Sequence, residues 1–166
     1  MSSPRIQKHS RAELRASYEA LVPSLLQYSR RLESLTRDLL ELKKIQYHAI
    51  EVRTKTVDSF LEKLARPGKS YAEPLNQITD LVGLRIILYY PSDVDEVCSI
   101  WREQFSVDES SSVDKRAELA SDQFGYSSVH LVCRLSESRR ALAEWSPFAS
   151  TCCEVQVRTV LQHAWA

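Results

Sequence analysis

A chain of 166 residues with 22 basic and 22 acidic side chains, 43% hydrophobic and 27% charged, suits one compact domain and excludes wholesale disorder. No uninterrupted apolar run approaches the roughly 18 residues of a membrane helix, and the polar start, Met1 to Ser10, lacks the apolar stretch of a secretory signal. Cys98, Cys133, Cys152 and Cys153 show no metal-ligand spacing and two are adjacent, so a reduced, cytoplasmic protein is expected, neither disulfide scaffold nor zinc module.

The first ten residues read as a frayed tail. A short helix is predicted over Ala12 to Leu21, and Pro23 fits the first turn of a second one, where its missing N–H costs nothing. Leu25, Tyr28, Leu32, Leu35, Leu39 and Leu42 then recur at alternating steps of three and four, an apolar stripe. Packing against the domain's own sheet is the expected use of that stripe; a seam in a homo-oligomer is the alternative. Tyr47 to Arg53 alternates as an extended segment, and Val57 to Leu64 reads as a short helix stopped by Arg66-Pro67-Gly68. Leu81 to Tyr90 is a buried strand, Val94 to Phe105 an amphipathic helix, and Ser110 to Ser112 a loop. Ser127 to Leu135 and Cys152 to Val157 read as strands, and Val160 opens a last helix. Strands separated by helices, behind a basic helical preface, give an α/β or α+β domain around one central sheet.

Polar residues at the ends of these strands are the candidates for chemistry. Asp80 directly precedes one strand; Glu154 lies inside another, sharing a face with Gln156 and Arg158 by the period of two. Two converging carboxylates suit Mg²⁺, which takes oxygen ligands and leaves positions for water and phosphate. Spacing is equally consistent with structural pairing to Arg85 or Arg158. In Phe124-Gly125-Tyr126-Ser127-Ser128-Val129-His130, a glycine turn feeds a strand, so Tyr126 could stack on a planar ligand, with Ser128 and His130 on its face. Arg53, Lys55, Ser59 and Lys63 offer cations near a helix start, where a triphosphate would also find N–H donors. The charge is divided to match: residues 1–70 hold 14 Lys or Arg against 8 Asp or Glu, and residues 71–166 hold 8 against 14.

The ordered series Arg-x-Lys-x-x-x-Ser-x-x-x-Lys, Asp-Leu-Val-Gly-Leu-Arg, Gly-Tyr-Ser-Ser-Val-His, Glu-Val-Gln-Val-Arg-Thr and His-Ala-Trp-Ala, from about Arg53 to Ala166, resembles the RelA/SpoT synthetase domain. The nearest type is a small, single-domain alarmone synthetase. The resemblance implies an α+β fold, a mixed central sheet flanked by helices and related to nucleotidyltransferases. Residues 1–46 would form a helical segment packing on a synthetase domain of residues 47–166. It implies a Mg²⁺-dependent GTP/GDP diphosphokinase that moves the β,γ-pyrophosphate of ATP to the 3′-hydroxyl of GDP or GTP, making (p)ppGpp and AMP.

By similarity Arg53 would stack on adenine, with Lys55, Ser59 and Lys63 by the phosphates. Asp80 and Glu154 would hold the metal, Glu154 also being placed to take the proton of the attacking hydroxyl. Tyr126 would stack on guanine, and His130, Gln156 and Lys115 would serve the acceptor. Where many members carry Lys-Pro-Asn before the Gly-Tyr pair, this chain has Ser121-Asp122-Gln123-Phe124. The acceptor therefore stays open between GDP or GTP, an adenine nucleotide and the 3′ end of tRNA, the last supported by Arg30, Arg31, Arg37, Lys43 and Lys44. The end at Ala166, inside a presumed helix, adds a further alternative, an inactive nucleotide-binding regulator.

Overall fold

The computed structural model describes residues 10–68, 70–118 and 128–165. Ser10 opens α1 (Arg11–Leu42) with a capping box: its hydroxyl accepts from the Glu13 amide, and the Glu13 carboxylate accepts from the Ser10 amide. The two predicted helices are one. Pro23 lies inside α1, where its ring removes a backbone hydrogen bond, yet the helix continues. Contacts elsewhere hold the segment before Pro23 in line. The Tyr18 ring stacks on Phe60 at 4.2 Å, and its hydroxyl donates to the Lys55 carbonyl at 2.7 Å.

The buried face of α1 runs through Tyr18, Leu25, Tyr28, Ser29, Leu32, Thr36 and Leu40. The predicted stripe holds through Leu39, with Leu35 and Leu39 partly buried against the core, and fails at Leu42, which is 77% exposed while Leu40 is buried. Leucines spaced by an average of 3.5 residues drift around a straight helix of 3.6 residues per turn by about 20° per heptad. By the last turn the core has passed to Leu40.

The chain then forms β1 (Tyr47–Thr54), α2 (Val57–Leu64), the short α3 (Pro74–Gln77), β2 (Val82–Leu88), α4 (Asp93–Gln104), β3 (Phe105–Asp114), β4 (Val129–Leu135), the single-turn α5 (Glu137–Arg140), β5 (Cys152–Thr159) and α6 (Val160–Ala164). The five strands make one sheet in the order β1-β2-β5-β4-β3. β2 and β5 are parallel; the other pairs are antiparallel. The fold is α+β with a mixed sheet, as expected.

Residues predicted as a serine loop belong to β3. The register slips between Asp108 and Val113, and side chains replace the missing ladder there. Asp108 Oδ1 accepts from the Ser110 amide and hydroxyl at 3.0 and 2.6 Å, and Ser112 Oγ accepts from the Val132 amide at 3.0 Å. Serines that signal a loop by composition here satisfy a bulged edge strand.

α1 packs on β1 and β2, and α4 on β3, β4 and β5. Both helices share one apolar core with Leu84, Ile86, Leu131, Cys133, Val155 and Val157. Alternation along each strand turns the other parity away from that core, and that face carries Arg53, Gly83, Arg85, His130, Glu154 and Gln156. All four cysteines are free and buried, and no described helix is long and apolar enough to cross a membrane.

Candidate active site

Sheet register assembles the site in two rungs. Arg53 lies opposite Gly83, which lies opposite Glu154; one rung along, Glu51 faces Arg85, Arg85 faces Gln156, and Gln156 faces His130. Gly83 leaves the space between Arg53 and Glu154 open. A β-carbon there would meet only the Arg53 carbonyl oxygen, at 3.8 Å, so backbone packing alone does not require the glycine. The result is a cleft of about 390 Å³ lined by Glu51, Val52, Arg53, Asp80, Gly83, Leu84, Arg85, Glu154 and Gln156. That volume is within the range of small-molecule sites, about 300–1,000 Å³.

Asp80 sits in the turn before β2 and is clamped from both sides. Lys55 Nζ lies 2.9 Å from one carboxylate oxygen and Lys63 Nζ 2.7 Å from the other. Burial alone would raise the Asp80 carboxyl, but the hydrogen bonds of Lys63 and Lys55 outweigh it and hold the group below its ordinary value. Lys55 is positioned by the protein interior: it is 7% exposed, its amide donates to the Leu81 carbonyl at 2.9 Å, and its own carbonyl takes the Tyr18 hydroxyl. The same neighbourhood raises Tyr18 to about 12, by burial and by the Asp80 charge.

Glu154 is the second carboxylate. His130 Nδ1 lies 3.0 Å from its Oε1, and Gln156 Nε2 donates to the same oxygen at 3.4 Å. The His130 contact lowers the Glu154 carboxyl, against burial and the repulsion of nearby Asp80, so it is ionised at neutral pH. Both carboxylates thus open onto one cleft. No group of three or more His, Cys, Asp or Glu among the described residues forms a metal cage. The donor set fits Mg²⁺, which commonly takes one or two carboxylates and completes its shell with water and phosphate.

Of the residues predicted from sequence, Arg53, Asp80, Glu154 and Gln156 line the cleft. Lys55 and Lys63 reach it through Asp80, and His130 through Glu154. Two placements differ. Lys63 lies in the last turn of α2, away from the positive end of that helix, so its link to the site is Asp80 and not the dipole. Ser59 hydrogen-bonds Thr56 at the start of α2 and does not line the cleft. Lys115 follows β3, with its amide on the Ser128 carbonyl at 3.1 Å. Tyr126 lies outside the described residues.

Arg85 and Glu51 were missed as site residues. They pair at 2.9 Å on the cleft face. The signal was available, because Arg85 follows Gly83 by two residues and Glu51 precedes Arg53 by two. Of the basic residues expected to support RNA binding, Arg30, Arg31 and Arg37 are mixed with Glu33, Asp38 and Glu41 along α1, and Lys43 and Lys44 follow its end. Arg31 lies over the Phe148 ring, and Arg37 donates to Glu33 and to the Tyr47 hydroxyl.

A family model described as the region found in RelA / SpoT proteins matches residues 52–166. The chain belongs to that family. No curated protein sequence matches it. Among solved structures it is similar to a GTP pyrophosphokinase family protein from Streptococcus pneumoniae, at 21% identity and TM-score 0.69, covering 90% of this chain and 72% of that one. It is similar also to the small alarmone synthetase 1 of Bacillus subtilis, at 24% identity and TM-score 0.68, covering 90% and 74%. That protein has been solved with its product pppGpp, at 24% identity and TM-score 0.69, covering 90% and 76%. At these identities the likeness shows a shared fold.

Proposed function

We propose that the protein transfers the β,γ-pyrophosphate of ATP to the ribose 3′-hydroxyl of GDP or GTP, forming (p)ppGpp and releasing AMP. The observation that carries this reading is the meeting of Asp80 and Glu154 on one cleft, with Arg53 across Gly83 and two lysines at its end. Family membership supports it, as do the relative's complexes with pppGpp and with AMPCPP.

Arg53, exposed on the cleft, offers a guanidinium plane for adenine. Lys55 and Lys63 exchange Asp80 for phosphate oxygens when the nucleotide enters, which frees the carboxylate. Asp80 and Glu154 would hold Mg²⁺, which supplies charge neutralisation on the phosphates. A carboxylate kept below its ordinary value is a weak base and a good anionic ligand, so Glu154 orients the 3′-hydroxyl by accepting its hydrogen bond. In-line placement of that oxygen on the β-phosphorus then does most of the work. His130, Gln156, Lys115 and Tyr126 belong to the acceptor side. A reduced cytoplasmic setting agrees with four unbridged cysteines.

Asp80→Asn and Glu154→Gln test the reading. Each is expected to abolish AMP release, with the native circular dichroism spectrum retained. Normal turnover in both variants would overturn the two-carboxylate site.

A further inference from the structure

Ser128, just before β4, shares the polar face of the strand with His130 but is wholly buried. A buried hydroxyl costs stability unless it is hydrogen-bonded, and this one lies 2.7 Å from His130 Nε2. The other ring nitrogen faces Glu154 Oε1 at 3.0 Å. The ring is therefore gripped at both ends, by a hydroxyl behind and a carboxylate in front.

The protons follow from what each group can do. An ionised carboxylate only accepts, so Nδ1 carries the proton, and in the neutral ring Nε2 accepts from the Ser128 hydroxyl. Among the described residues, both hydrogen bonds to Glu154, from His130 and Gln156, fall on Oε1. Oε2 is left for a ligand. The order serine, histidine, carboxylate is that of a nucleophile triad, but a wholly buried hydroxyl cannot reach a substrate carbonyl or phosphorus. The hydroxyl serves the ring.

We propose that Ser128 is a positioning residue that acts through His130 to fix which oxygen of Glu154 faces the cleft. Its backbone is itself tied down, since the Ser128 carbonyl accepts from the Lys115 amide at 3.1 Å. Without the hydroxyl the imidazole loses its hold at Nε2, turns more freely about its side-chain bonds, and grips Oε1 less firmly. Glu154, then held at Oε1 mainly by the longer Gln156 contact of 3.4 Å, samples orientations in which Oε2 turns away from the acceptor hydroxyl. The consequence for turnover rests on the pyrophosphate-transfer reading; the hydrogen-bond chain does not.

The test compares full-length wild type, Ser128→Ala, His130→Gln and the double variant. Ring-nitrogen spectra of ¹⁵N-histidine protein, with His130 assigned by its loss in His130→Gln, are expected to show both ring nitrogens hydrogen-bonded in the wild type. In Ser128→Ala the Nε2 resonance is expected to shift as that hydrogen bond is lost. Turnover number is expected to fall about 10- to 100-fold, as for other residues that orient a ligating group. KM for ATP should stay within about twofold. In the His130→Gln background the serine substitution should cost little more, because its effect runs through the ring.

An unchanged Nε2 resonance would overturn the proposal. So would a loss in Ser128→Ala that persists in full without His130, or a lowered melting temperature with unchanged turnover, which marks a merely structural serine. If wild type releases no AMP with any acceptor, pyrophosphate transfer fails, and the nitrogen spectra alone then decide whether Ser128 holds the ring.

Discussion

Replacing Asp80 by asparagine removes the charge at the centre of the lysine clamp while keeping its shape. Two contacts of 2.7 and 2.9 Å converge on a side chain only 21% exposed, and Lys55 is 7% exposed. Hydrogen bonds to charged groups contribute about 1.5–3 kcal/mol each, and leaving a buried charge uncompensated adds to the loss. Asparagine keeps one acceptor, and partial exposure screens the pair, so about 3 kcal/mol is expected rather than the full sum. For a chain of this size that lowers the melting temperature by about 6–12 °C. Urea and thermal unfolding of the nucleotide-free protein in EDTA would measure it. Adding Lys55→Met to Asp80→Asn should recover part of the loss, since it removes the orphaned ammonium. A difference below about 0.5 kcal/mol would place the clamp among ordinary surface pairs and refute the reasoning.

The Asp80 carboxyl is held below its ordinary value, so its contribution is complete above that value and is lost as pH falls through the lower folded one. The stability gap between wild type and Asp80→Asn should therefore be constant from neutral pH down to about 5 and close below about 4, as read by urea midpoints across pH. Gly83→Val should fold normally, because its β-carbon meets only ordinary contact, but should raise KM for ATP at least tenfold by filling the cleft floor; unaltered kinetics would move the nucleotide elsewhere. Leu40→Ala should cost about 2–5 kcal/mol and Leu42→Ala under about 0.5 by chemical denaturation, the reverse of what the 3.5-residue stripe implies.

Much of the fold was legible because burial and period agree. The apolar run of β2, the amphipathic α4 and the breaker at Arg66-Pro67-Gly68 each carry one unambiguous local signal. Pro23 misled because tertiary contacts of Tyr18 override a local penalty, and Ser110 to Ser112 misled because a bulge can be satisfied by the residues that favour loops. At the site, Asp80 and Glu154 were found as carboxylates beside apolar strands, where charge is costly without a purpose. Their partners were not. That Lys55 and Lys63 embrace Asp80, and that His130 belongs with Glu154, depends on which strands are neighbours, a fact of sheet order and not of spacing. Arg85 is visible by alternation, but spacing leaves it only as one possible partner, with Arg158, for Asp80 or Glu154; it pairs with Glu51.

The central claim is tested most directly by AMP release from ATP and Mg²⁺, with GDP, GTP, ATP or bulk tRNA offered in parallel and the product identified. Pyrophosphate transfer to a guanine nucleotide predicts AMP only when GDP or GTP is present, in equal amount with a 3′-pyrophosphorylated product. Release only with tRNA or with an adenine acceptor would contradict the proposed acceptor. ATP binding without AMP release under any condition would contradict catalysis itself.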